Sequence, residues 1–182
     1  HFTFAPPNIE VEIRASPCLE AGFITYGCFN SLSKMNDTVV SVWAKILLAS
    51  PGTRLFLKTK ILGDEEQKKE VVDRFAVYGI DESRLILEGP SSRAELLATY
   101  NRVDISLDPF PYPGGTTSVE SLWMGVPVLT KKGHHFLSHY GESIVANAGL
   151  DRWIASDEDE YIKKAISFSS DKELLNSLRK NL

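Results

Sequence analysis

Short apolar runs alternate along this chain with longer segments whose apolar positions recur every three or four residues, the periods of buried strands and amphipathic helices. Phe23 to Phe29 (FITYGCF) predicts a strand, and Val39, Trp43, Ile46 and Leu47 fall at helical spacing after it. Leu55-Phe56-Leu57 predicts the second strand and Asp64 to Tyr78 a helix with Val71, Val72 and Phe75 inward, ended by Gly79. Leu85-Ile86-Leu87 follows as a strand, and Ser92 with Glu95 three residues on is the pattern of a capping box opening a helix through Tyr100. Ile105-Ser106-Leu107 is the fourth strand. Thr117 and Glu120 repeat the capping-box pattern for a helix through Trp123 and Met124, after which Gly125 and Pro127 turn the chain into a strand over Val126 to Thr130. A helix over Ser143 to Ala148, a strand at Trp153-Ile154-Ala155 and helices near Asp157 to Phe168 and Asp171 to Leu182 complete the pattern.

Six short apolar strands separated by helix-length segments call for crossover connections, so the expected fold is α/β: a Rossmann-like three-layer α/β/α domain with a mainly parallel six-stranded sheet. Ligands of such sheets collect outside the carboxyl ends of the strands, which confines the search for chemistry to a few loops. Residues 1–21 carry Pro6, Pro7 and Pro17 without periodicity and are expected to form an extended arm or interlobe linker. Residues 22–155 form the Rossmann-like lobe, and 156–182 the helices that pack on it.

A length of 182 residues, 43% hydrophobic and 24% charged, fits one soluble domain and excludes disorder or a fibrous repeat. The net charge of -4 leaves nothing to recruit nucleic acid or an anionic membrane, so any bound anion must be held locally. Cys18 and Cys28 lack zinc-site or disulfide-scaffold spacing and are expected to be inert thiols in a reducing compartment. Apolar stretches such as Ile46 to Ala49 fall far short of the ~20 residues of a membrane span, no leader pattern opens the chain, and a cytoplasmic protein is expected. The chain begins at His1, consistent with a piece of a longer polypeptide.

The most informative loop is Asp108-Pro109-Phe110-Pro111-Tyr112-Pro113-Gly114-Gly115-Thr116-Thr117. Prolines stiffen its approach, glycines let backbone near a ligand, and the threonines offer hydroxyls and amides at a helix start, so it reads either as a phosphate cradle or as a capped turn. Glu120, one turn into the helix, either closes a capping box on Thr117 or accepts hydrogen bonds from ribose hydroxyls. Lys34 lies in the first strand-to-helix loop, where it is a solvated lysine or a counter-charge to a diphosphate. Lys58 and Lys60 end the second strand and read chiefly as surface lysines. His134, His135 and His139 include an i, i+4 spacing but have no evident third ligand, so capping, packing or proximity to a leaving phosphate is preferred to metal binding. Asp104 and Asp108 bracket a strand and make no Asp-x-Asp pair, so metal-independent chemistry is expected. Neither Gly-x-Gly-x-x-Gly nor Gly-x-Ser-x-Gly occurs at the first strand or elsewhere, against a dinucleotide oxidoreductase or a serine hydrolase.

Three segments carry a resemblance: Tyr26-Gly27-Cys28-Phe29-Asn30-Ser31-Leu32-Ser33-Lys34, Tyr100 to Tyr112 (YNRVDISLDPFPY), and Gly114 to Val128 (GGTTSVESLWMGVPV). Over about residues 20 to 180 the chain resembles the C-terminal half of the catalytic region of the SPINDLY and O-linked N-acetylglucosamine transferase family. The resemblance implies the sugar-donor-binding C-terminal lobe of a GT-B glycosyltransferase, acting on Ser or Thr hydroxyls of a protein acceptor. It implies that Lys34 is catalytic and, with Gly115, Thr116 and Thr117, contacts the diphosphate, that Glu120 meets the ribose, and that Ser31 stands beside the nucleotide. The loop from Pro90 to Arg93, including Ser91 and Arg93, would hold the base, and His134 and His135 would be loop contacts. The implied donor is a UDP-sugar, UDP-GlcNAc first, with a GDP-sugar as alternative, and no cofactor or metal. The partners implied are an N-terminal catalytic lobe and tetratricopeptide repeats of the same longer chain. Leu96 replaces the family's histidine beside the base, and His139 an arginine. A nucleotide-binding or interaction module without catalysis of its own is the alternative reading.

Overall fold

Six parallel strands, β1 (Thr25–Cys28), β2 (Arg54–Lys58), β3 (Leu85–Glu88), β4 (Ile105–Leu107), β5 (Val128–Lys131) and β6 (Ile154–Ala155), pair in the order β3-β2-β1-β4-β5-β6. The structure, a computed structural model, describes residues 4, 5 and 7–182; His1 and Pro6 of the arm lie outside the described residues. The helices are α1 (Cys18–Ala21), α2 (Asp37–Ala49), α3 (Glu65–Ala76), α4 (Arg93–Thr99), α5 (Thr116–Trp123), α6 (His139–Asn147), α7 (Glu158–Ser169) and α8 (Lys172–Asn181). Among the described residues no helix is long and apolar enough to cross a membrane.

Period-two alternation in the strands feeds two separate apolar clusters. Leu55 and Leu57 join Tyr26, Trp43 and Tyr161 in the larger one, whereas Phe56 between them joins Leu97, Tyr100, Val103, Met124 and Val126 in the smaller. Both faces of the sheet are therefore covered, which is why its strands read as unbroken apolar runs. Gly27 permits the close approach of Val103, since a Cβ there would lie 2.6 Å from a Val103 methyl. The strand order reverses between β1 and β4, where Tyr26 pairs with Leu55 on one side and Ile105 on the other, and the crevice at that switch point is where such a sheet binds ligands.

Four expectations change. The arm is not wholly extended: it ends in the helical turn α1, Ser16 and Cys18 are buried, and the Cys18 amide donates to Asp104 Oδ1 at 3.0 Å. Arg179 of α8 fastens it, its buried guanidinium donating to the carbonyls of Tyr100 (2.8 Å), Val103 (3.0 Å) and Arg14 (3.2 Å). The last core helix starts at His139 rather than Ser143. Most consequentially, the Ser92–Glu95 capping box forms as expected, but the Thr117–Glu120 box does not: α5 starts two residues earlier than that box would set it, at Thr116, with Gly115 as its N-cap. Lys58, expected at the surface, is buried, donating to Gly89 O at 3.0 Å and pairing with Glu88 at 3.4 Å.

Candidate functional site

Three strand-to-helix loops meet at the switch point. The β1–α2 loop contains a 3-10 turn, Leu32–Lys34, opened by Ser31, whose Oγ accepts from the Ser33 amide. The turn sends Lys34 across the crevice, where its ammonium donates to Pro113 O at 2.8 Å and Asn30 Oδ1 at 3.1 Å and lies 4.3 Å from the centroid of the Tyr112 ring. Asn30 Oδ1 also accepts from Thr117 Oγ1 at 3.0 Å, so one side-chain amide joins the lysine to the first turn of α5. Burial lowers the Lys34 pKa, and Asp108 opposes that shift.

The β4–α5 loop brings the start of α5 to the same point. Gly115 has no side chain with which to cap the first-turn N–H groups, which therefore face the crevice with the positive end of the helix dipole. Thr116 is exposed and Thr117 half-buried, its carbonyl accepting from the Tyr100 hydroxyl at 3.1 Å. Beneath the loop, buried Asp108 accepts from the Gly114 amide (2.7 Å), Thr130 Oγ1 (2.8 Å) and Ser118 Oγ (3.3 Å). Burial pushes its pKa up to about 6 against the opposing effect of these donors and of Lys34.

The β3–α4 loop supplies the third wall. Arg93, the first residue of α4, donates from Nη2 to Glu120 Oε1 at 2.6 Å, and this hydrogen bond raises the guanidinium's pKa. Glu120 is only 3% exposed, and its carboxylate is paired with Arg93 and not with the helix cap. Ser91 is exposed beside it, with Oγ donating to Ser92 O at 3.4 Å, and Leu96 is half-buried on α4.

Hydrogen bonds thus link Lys34, through Pro113 and Asn30, to the first turn of α5, and Glu120 of the same helix to Arg93, whereas Ser31 lines a separate hollow with Thr59 and Lys60 and Ser91 is exposed just ahead of Arg93. His134 and His135 stand apart. Both are exposed after β5 and line a cavity of about 530 Å³ with Phe110, Lys131, Asp157 and neighbours, touching the crevice only through the stem of the proline loop. His135 and His139 do not share a helix: a 3-10 turn, Phe136–Ser138, separates them, and His139 Nδ1 pairs with Glu142 at 2.8 Å. Among the described residues no group of three or more His, Cys, Asp or Glu side chains converges to hold a metal ion. Sequence reasoning missed Asn30, the joint between two loops, and the anchoring role of Asp108. The available signal was position alone, each lying at the carboxyl end of a strand bordering the switch point.

Residues 4–182 match glycosyl transferase family 41. The chain is 38% identical to SPINDLY of Hordeum vulgare over 92% of its own length and 18% of that relative's. It is 39% identical to a solved mutant of Thermobaculum terrenum O-GlcNAc transferase, with a TM-score of 0.89 over 97% of this chain and 33% of that one. The C-terminal domain of the glycosyl transferase group 1 protein LpcC from Francisella tularensis shares the fold alone, at 14% identity and a TM-score of 0.62 over 95% of this chain and 90% of that one. The chain therefore spans about a fifth of the length of its curated SPINDLY relatives. The observed fold is the Rossmann-like parallel six-stranded sheet with flanking helices that the sequence led one to expect, and it is shared with glycosyltransferase structures. With the match running almost end to end, this chain belongs to glycosyl transferase family 41.

Proposed function

We propose that this chain is the sugar-donor-binding lobe of a protein O-glycosyltransferase that works without a metal ion, taking a sugar nucleotide and transferring its sugar to a Ser or Thr hydroxyl. The observation that carries this reading is the fixing of the Lys34 ammonium across the open N-terminus of α5, by Pro113 O on one side and by Asn30 on the other. An ammonium, first-turn amides and two threonine hydroxyls are the donor set that a diphosphate calls for. Glu120, buried and poised against Arg93, is the acceptor for ribose hydroxyls, and the Ser91 to Arg93 loop borders the base. The first donor to test is UDP-GlcNAc, because the Thermobaculum relative is an O-GlcNAc transferase and the Hordeum SPINDLY a probable UDP-N-acetylglucosamine–peptide transferase, with GDP-sugars as the alternative.

In transfer, the bond from the anomeric carbon to the β-phosphate oxygen breaks with its electron pair going to the diphosphate, while the acceptor oxygen bonds to that carbon and releases its proton to a base. Charge therefore grows on the diphosphate. Lys34 and the α5 amides stabilise it from positions already set, so no reorganisation is needed as the charge develops. The residues that hold the acceptor protein and the base that takes the proton belong, in this reading, to the remainder of a longer, cytoplasmic chain.

Calorimetric titration of the chain with UDP, GDP, UDP-GlcNAc and a GDP-sugar, in EDTA and in magnesium, tests the reading. Saturable binding of one nucleotide series in EDTA is expected. Failure of all four to bind, or binding only with magnesium, overturns it.

A further inference from the structure

Asp108 follows β4 under the glycine loop, with 2% of its surface exposed. Its Oδ1 receives the Gly114 amide and Ser118 Oγ, its Oδ2 receives Thr130 Oγ1, and its main-chain carbonyl receives the Tyr161 hydroxyl of α7 at 3.1 Å. Gly141 of α6 closes the remaining side, where a Cβ would come within 2.6 Å of Oδ2. The titratable groups that face it are Lys34 from the β1–α2 loop, Cys28 from β1 and Tyr161 from α7, and Lys34 is the cation among them.

A buried carboxylate beneath a diphosphate site opposes the ligand's charge, and an asparagine would accept from Gly114 and Ser118 equally well. Hydrogen bonding alone therefore does not account for an acid here. Lys34 does: its ammonium donates to Pro113 O at 2.8 Å, one residue before the Gly114 amide that Asp108 holds, and there the negative charge of Asp108 works for an ammonium that desolvation works against. We infer that Asp108 is a positioning residue of the sugar-donor site, which anchors the start of α5 through Gly114 and Ser118 and, by its charge, keeps the Lys34 ammonium in place before the diphosphate arrives. The inference rests on the sugar-nucleotide reading above.

The test compares wild type, Asp108→Asn and Thr130→Val. The probe is UDP-GlcNAc, because the terminal phosphate of free UDP itself titrates near pH 6, on the order of a phosphomonoester's second ionisation. Wild-type affinity should fall as the pH drops through about 6, where burial places Asp108. Asp108→Asn should bind about tenfold more weakly at pH 7.5, the order of one charge-assisted contact, and lose that acid limb, which also separates Asp108 from His134 and His135. Thr130→Val removes a donor that favours the ionised form, so its acid limb should move to higher pH. A merely structural acid would cost thermal stability when replaced. Asp108→Asn should instead unfold no earlier than wild type at pH 7.5, because the native state no longer holds a desolvated charge.

A separate readout needs no ligand: the Gly114 amide resonance should titrate with a midpoint near pH 6 in wild type and not in Asp108→Asn. If that resonance titrates but no sugar nucleotide binds, the donor-site reading falls and takes the positioning role with it. If UDP-GlcNAc binds but Asp108→Asn keeps wild-type affinity and its acid limb, the inference alone is overturned.

Discussion

Replacing Lys34 with alanine removes the ammonium that joins the β1–α2 loop to Pro113 of the proline loop, while the Asn36 side chain still donates to Phe110 O between the same two loops. Two unit charges about 4 Å apart interact by ~4 kcal/mol at an effective dielectric near 20. Lys34 is half-buried and the α5 amides remain after its loss, so the net effect on a bound diphosphate should be about 2–3 kcal/mol, in the range of hydrogen bonds to charged groups. That corresponds to a Kd raised about 30- to 150-fold. The fold should lose little: Asn30 keeps Thr117 as a donor, and the one hydrogen bond lost at Pro113 O puts the expected stability change at about 1 kcal/mol. Calorimetry with UDP-GlcNAc at pH 7.5 and two salt concentrations, beside thermal unfolding of the same samples, measures both quantities. Wild-type binding should weaken with salt more than the variant's, because the lost term is the screened one. Burial lowers the Lys34 pKa, so wild-type affinity should also decline in alkaline solution sooner than an ordinary lysine would allow. A variant that folds and binds within twofold of wild type would refute the assignment of Lys34 to the diphosphate.

Glu120→Ala should weaken UDP binding about tenfold while leaving inorganic pyrophosphate unaffected, since the carboxylate is assigned to ribose; equal losses for both ligands would move Glu120 to another role. Arg179→Ala strips the carbonyls of Tyr100, Val103 and Arg14 of a buried donor and should cost about 3–5 kcal/mol in denaturant unfolding, with lysine recovering only part of it because it lacks the planar fork. Burial pushes the thiols of Cys18 and Cys28 up to about 12, so neither should react with an aromatic disulfide at pH 8 until the chain is unfolded; prompt labelling of the native protein contradicts the packing described.

Much was decided by neighbours along the chain. The apolar runs at Leu55 to Leu57 and Ile105 to Leu107 need no distant partner to be recognised as strands buried on both sides, and Ser92 with Glu95 closes its box within one helical turn. From such local terms the parallel sheet, its order of elements and the loops bearing Lys34 and Thr116-Thr117 could be read directly. The same local rule failed at Thr117 and Glu120, because the carboxylate found a better partner in Arg93, 27 residues upstream, and the helix began at a residue that cannot cap. Asp108 shows the limit most clearly, since its three hydrogen-bond donors lie 6, 10 and 22 residues further along and belong to a loop, a helix and a neighbouring strand. Patterning depends on which faces must leave water and is written in each segment. The electrostatics of the crevice depend on which charges end up a few ångströms apart after the sheet has assembled, and only the tertiary structure decides that.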